Sequence, residues 1–143
     1  DQFRLFVAYQ HSRHRDSEMA AMSYGDYRGM VEDTALRTAI VEFREPGGAL
    51  VAVSLIDRLD DGFSAVYSFY DPTLSRRSLG SFVILDHVIQ ACLTSLPYVY
   101  LGYWVRGSEK MDYKVRFSPI ELLKPDGWTL ASARELRAGG APG

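Results

Sequence analysis

Apolar positions along the 143-residue chain follow two periods in turn, one near 3.6 and one of 2. At the start, Phe3, Phe6, Val7 and Gln10 share one face at helical spacing behind Asp1, a capping residue type, which predicts a helix to about Arg13. Residues 15–26 are small, polar or charged without a sustained period. They read as a short helix or loop closing on the turn signal Tyr24-Gly25-Asp26. Three strand-like runs follow, at 38–44, 49–59 and 63–70. Pro46-Gly47-Gly48 and Asp60-Asp61-Gly62 separate them with hairpin chemistry, so an antiparallel meander is expected.

From about residue 78 the helical period returns. Leu79, Phe82, Val83, Leu85, Val88, Ile89, Cys92 and Leu93 make a broad apolar face, and Asp86, Gln90 and Thr94 make a polar stripe at spacing four. This predicts a helix turned toward the core of a sheet. Residues 98–103 then read as a buried aromatic strand, parallel to its predecessor because a helix joins the two. A helix over 109–113 and short strands at 120–123 and 127–130 complete the pattern. The Gly/Pro/Ala tail 138–143 is expected to fray.

With 47% hydrophobic residues, a chain of this length supports one domain around one core, here residues 1–137. No run reaches the eighteen or so apolar residues of a membrane span and no secretory signal pattern opens the chain, so a soluble, cytoplasmic protein is expected. Cys92 is the only cysteine, which excludes an internal disulfide or a zinc site built on several thiolates. Its neighbours Ile89 and Leu93 predict a buried packing thiol. His11 and His14 share a helix face while His87 stands apart, so no metal site is read from the histidines, and no cofactor is expected.

Net charge is −2, unsuited to coating nucleic acid by bulk electrostatics. Its distribution is uneven. Between residues 75 and 117, Arg76, Arg77, Arg106, Lys110, Lys114 and Arg116 face only Asp86, Glu109 and Asp112, leaving +3 there and −5 elsewhere.

That basic segment opens with Tyr70-Asp71-Pro72-Thr73-Leu74-Ser75-Arg76-Arg77-Ser78-Leu79-Gly80-Ser81-Phe82. A helix starting near Ser78 directs unpaired N–H groups and a partial positive charge into this loop, and Arg76 and Arg77 add two full charges. Gly80 omits a side chain where a phosphate could approach. The loop reads as an anion site, or else as a capped helix start with two solvated arginines.

Order of elements and this loop resemble the acyltransferase fold of the GCN5-related N-acetyltransferases, an α/β (α+β) architecture with a mixed, mostly antiparallel sheet flanked by helices. Arg77-Ser78-Leu79-Gly80 matches the start of that fold's pyrophosphate loop, whereas Phe82 is bulky where coenzyme A needs close backbone approach. Further motifs are more specific: Tyr27-Arg28-Gly29-Met30, the run Ala65 to Pro72, Tyr98-Val99-Tyr100-Leu101-Gly102-Tyr103-Trp104, then Lys110-Met111, Tyr113-Lys114 and Phe117. With these the chain resembles the catalytic domain of the arginyl-tRNA–protein transferase family, most closely its bacterial aspartate/glutamate leucyltransferase branch. That family also has an amino-terminal domain with clustered cysteines, absent from these residues, so the chain is expected to be the carboxy-terminal domain alone. Gly107-Ser108 stands where arginine-transferring members tend to have a cysteine.

The resemblance implies transfer of leucine, or less readily arginine, from an aminoacyl-tRNA to the α-amine of proteins that begin with Asp or Glu, marking them for degradation in the N-degron pathway. Amine attack on an activated ester asks for positioning, one proton removed and an oxyanion stabilised. Asp71 is the candidate base, with Glu32 and Asp33 behind it. Arg76, Arg77, Lys110 and Lys114 are candidates for the acceptor carboxylate and the tRNA phosphates, with Ser78 and Gly80 in the loop. Tyr103, Trp104 and Tyr113, interleaved with those cations, suit stacking on an unpaired tRNA 3′ end. Arg28 either lines the same cleft or pairs with Glu32. The alternatives are an acetyl-CoA-dependent N-acetyltransferase, or a non-catalytic domain that binds acidic N-termini or RNA.

Overall fold

A computed structural model describes residues 1–13, 17–108 and 111–137. The chain forms two compact units, one over Asp1–Gly102 and a second from Tyr103 onward. In the first, α1 (Gln2–Arg13), α2 (Tyr24–Glu32), β1 (Arg37–Arg44), β2 (Leu50–Arg58), β3 (Gly62–Tyr70), α3 (Leu79–Leu93) and β4 (Tyr98–Tyr100) follow in order. Their strands make one mixed sheet in the order β1-β2-β3-β4, antiparallel until β4 joins β3 in parallel. This is the mixed α/β class expected. Gly62 allows the parallel step, because a Cβ there would lie 2.5 Å from the Tyr98 carbonyl oxygen.

Strand alternation sends Val53 and Ser54 to opposite faces of the sheet. Val53 joins an aromatic cluster with Phe6 and Tyr9 of α1, Tyr27 of α2 and Phe69 of β3, all buried. Phe6 and Phe69 meet edge to face at 5.4 Å, and Phe6 lies 5.2 Å from Tyr27. Such pairs add about 0.5–1.5 kcal/mol beyond their burial. On the other face Ser54 Oγ shares a 2.8 Å hydrogen bond with Nε2 of His87 from α3, and both side chains are buried. Burial holds the His87 pKa below its ordinary value, opposed by Asp86 3.9 Å away.

Three expectations need correction. Tyr24-Gly25-Asp26 opens α2 instead of closing a loop: Ser23 caps the helix in a reciprocal box with Asp26, whose carboxylate accepts from the Ser23 N–H at 2.8 Å. Cys92 is exposed. The residues α3 buries are Leu79, Val83, Ile84, His87 and Ala91, so the core stripe passes through a histidine and an alanine and leaves Cys92 and its large apolar neighbours outside. β4 ends at Tyr100, with Tyr98 and Tyr103 exposed, because pairing with β3 covers only three residues.

The second unit contains β5 (Glu121–Lys124) and β6 (Gly127–Leu130), which pair as an antiparallel hairpin, and one helical turn, α4 (Ala133–Leu136). Before them a 3-10 turn spans Asp112–Arg116, where a helix over 109–113 was expected; Glu109 and Lys110 lie outside the described residues. Glu135 ties this unit together. Its carboxylate accepts from Lys124 Nζ at 2.6 Å and from the Ser132 N–H and hydroxyl, which hold its pKa at about 2. Among the described residues no helix is long and apolar enough to cross a membrane.

Candidate functional site

The loop from β3 to α3 is built as a 3-10 turn over Pro72–Arg77 followed directly by the helix. Asp71 starts it, accepting from the Thr73 N–H at 2.8 Å and the Thr73 hydroxyl at 2.6 Å with a single oxygen, Oδ1. Proline at the first position fits, since its missing N–H would have been unsatisfied there. Ser78 then takes a left-handed conformation, φ 50° and ψ 42°, which L residues rarely adopt away from functional or strained positions. Its side chain does not cap α3. The first intrahelical bond is Phe82 N–H to the Ser78 carbonyl, so the N–H groups ahead of it point out of the helix end beside Arg76 and Arg77.

Arg77 forms an ion pair with Glu45 of the β1–β2 turn, and both side chains are exposed. An exposed pair of this kind contributes roughly 0–1 kcal/mol, so an incoming phosphate can exchange for Glu45 at small cost. Arg76 is exposed and makes no hydrogen bond or ion pair among the described residues. Beside Arg77 an open groove of about 440 Å³ has Phe43, Val51, Leu79 and Phe82 along its apolar floor and Glu42, Arg44 and Glu45 at its rim. Phe82 turns its ring onto Phe43, edge to face at 5.6 Å. Gly80 has a reason inside the chain: a Cβ there would meet the Tyr70 ring at 3.3 Å.

Tyr70 also explains a cation that sequence spacing could not reveal. Arg13, at the end of α1, donates to the Tyr70 hydroxyl at 3.0 Å and lies over its ring at 5.7 Å. The carboxyl end of β3 thus gathers Asp71, Arg76, Arg77, Ser78 and Gly80 together with Arg13. Only tertiary folding makes Arg13 their neighbour.

Arg28 stands on α2 and is forked onto Glu32 at 2.9 and 2.6 Å, the second of its two sequence readings. Among the described residues no hydrogen bond or ion pair links it to the loop, and Asp33 caps the carboxyl end of the same helix. In the second unit Tyr103 is 90% exposed while its carbonyl accepts from Lys114 Nζ at 2.7 Å. Lys114 is half-buried, which lowers its pKa. Tyr113 and Trp104 are half-buried there too, and Lys110 lies outside the described residues. No group of three or more His, Cys, Asp or Glu able to hold a metal occurs among the described residues.

A mixed sheet whose parallel crossover places a helix start and two adjacent arginines at a strand end defines an α/β domain with a basic β3–α3 loop. Residues 1–124 match the family described as "Arginine-tRNA-protein transferase, C terminus", and the chain belongs to that family. It is 67% identical over 142 residues to the aspartate/glutamate leucyltransferase of Phenylobacterium zucineum (strain HLK1), covering 96% of this chain and 55% of that protein. It is 59% identical over 143 residues to the one of Caulobacter vibrioides (strain NA1000 / CB15N), covering 96% and 51%. A third, from Gluconacetobacter diazotrophicus, is 56% identical over 129 residues. The chain spans about half the length of the curated relatives it matches.

Proposed function

We propose that this chain is the catalytic half of a cytoplasmic aminoacyl-tRNA–protein transferase, with the fold of the GCN5-related acyltransferases, that moves leucine from charged tRNA to the α-amine of proteins beginning with Asp or Glu. The observation that carries this reading is the 67% identity, across 96% of the chain, to a relative bearing that name. Support for a donor site comes from the N–H groups at the start of α3, which stand with Arg76 and Arg77 at one helix end and suit a phosphate of the tRNA 3′ end. The amine nitrogen attacks the ester carbonyl carbon, an amide C–N bond forms, the ester C–O bond breaks, and the proton lost by nitrogen passes to the departing ribose oxygen.

An α-amine has a reference pKa of about 7.7–8.0, so part of it is neutral near pH 7 and positioning outweighs a strong base. Asp71 Oδ1 is committed to its turn, which leaves Oδ2 as the oxygen that takes the proton in transit. Arg13, held on Tyr70 at the carboxyl end of β3, offers the guanidinium that reads an acceptor carboxylate.

The test uses a hybrid, the full-length Phenylobacterium leucyltransferase carrying this chain in place of its matching 142 residues. It is offered Leu-tRNA, Arg-tRNA or acetyl-CoA with peptides starting in Asp, Glu or Ala, and products are read by mass spectrometry. Leucine on the Asp and Glu peptides alone is the expected result. Arginine or acetyl transfer, or a folded hybrid that transfers nothing where the relative is active, overturns the assignment.

A further inference from the structure

We infer that the outer side of α3 is the seat of an apolar helix contributed by the half of the leucyltransferases' length that this chain does not span. The inner side of α3 buries Leu79, Val83, His87 and Ala91 at every fourth residue. The opposite side carries Phe82, Leu85, Val88, Ile89, Cys92 and Leu93, all exposed, with Leu85 at 50%, Ile89 at 55% and Leu93 at 74%. A surface helix ordinarily turns its charged side outward. Here Asp86, Gln90 and Thr94 occupy only one flank, and the outward centre is apolar over about three turns.

The chemistry of the face selects its occupant. Phe82, Leu85, Ile89 and Cys92 are spaced three, four and three residues apart, which is the seam that packs against another helix at a shallow angle. Contiguous large side chains of this kind mark a docking surface, unlike scattered single ones. From Leu79 to Leu93 there is no lysine or arginine, so the face offers nothing to tRNA phosphates. An apolar seam along a helix whose other side is the domain core suits a permanent contact. The relatives contain about as much chain again as is matched here, and that portion supplies the helix. Phe82 also floors the groove beside Arg77, so the seated helix sits next to the anion end of α3.

Cys92 reports on this directly, being the chain's only cysteine and lying on the seam. Its alkylation by N-ethylmaleimide is followed by peptide mass spectrometry in the 143-residue chain and in the hybrid. The expected result is fast labelling of the chain at every concentration and labelling at least tenfold slower in the hybrid. Leu85→Lys combined with Ile89→Lys restores the fast rate in the hybrid and leaves the melting temperature of the 143-residue chain unchanged. Equal rates in chain and hybrid overturn the proposal. So does slow labelling of the chain alone: growing with concentration, it means that a second copy covers the face, and independent of concentration, that the chain covers it itself. A double variant that still labels slowly in the hybrid also overturns it.

Discussion

Under α1 and α2 the sheet meets Phe6, Tyr9, Tyr27, Val53 and Phe69, a cluster of rings that turns its largest side chains inward. Under α3 it meets a leucine, a valine, an isoleucine, an alanine and a hydrogen-bonded Ser54–His87 pair, while that helix leaves Phe82, Leu85, Ile89 and Leu93 outside. Both helices are apolar enough to be read as core-facing. What separates them is which residues the sheet selects: bulk on one face, close approach and polar pairing on the other. The aromatic side is complete within this chain, and the α3 side keeps apolar surface for something else to cover.

Substitutions that treat the two sides alike should therefore give very unequal results. Phe69→Ala removes a buried ring that touches Phe6, Tyr27 and Tyr67, and should cost about 3–5 kcal/mol, read as a lower urea midpoint at unchanged slope. Ile89→Ala, on the outer side of α3, should stay within about 0.5 kcal/mol. A large loss at Ile89 would mean that the outer face is already packed in this chain, and the contrast between the sides would fail.

The inner side of α3 can be probed through its polar pair. Ser54→Ala strands His87 Nε2 without its partner in a buried site and should cost about 1–3 kcal/mol. The pH dependence has a definite sign. His87 is depressed in the folded state, so the unfolded chain binds the proton more readily. Its contribution to stability is complete above the ordinary histidine pKa of about 6.5, declines as pH falls from there to the lower folded value, and stays lost below it. His87→Gln should remove that part of the decline. Unfolding curves for the two proteins that stay parallel from pH 7 downward would show that His87 titrates normally and that its burial does not matter.

How much of this was legible in the sequence follows from the same contrast. The α1 face, the three-strand meander and the parallel return of β4 are carried by periodicity and turn chemistry, which are local, and the structure has them. α2 was missed because Tyr24-Gly25-Asp26 has turn composition, although Ser23 and Asp26, three residues apart, are a capping-box signal that should have outweighed it. The orientation of α3 was not legible in principle, since hydrophobicity ranks Leu85 and Ile89 above His87 and Ala91 and only the facing strand, with Ser54 and Ala52 inward, reverses the order. In the candidate site the sequence expects a loop and a helix start around Arg76, Arg77 and Gly80, and the structure has a 3-10 turn followed by α3 there, with Gly80 fitted to the Tyr70 ring. The part played by Arg13, and the closure of Arg28 on Glu32, depend on tertiary contacts and rotamers that spacing leaves open.

The two sides also differ in the arginines they present, which gives the smallest effect and the finest discrimination. Arg77 stands at the start of α3 in an exposed pair with Glu45, and Arg28 stands on α2 in an exposed pair with Glu32. Each substitution to alanine frees one carboxylate, so the loss of charge is matched and position alone differs. With the hybrid, Arg77→Ala should weaken charged-tRNA binding a few-fold and lower the slope of log affinity against log salt by about one, as expected for one phosphate contact. Arg28→Ala should leave that slope unchanged, because its guanidinium is forked onto Glu32 on the α1–α2 side of the sheet. Equal reductions in slope would extend the tRNA footprint across both sides. A flat response at Arg77 would remove the α3 loop from the donor site and return the anion role to cations of the second unit.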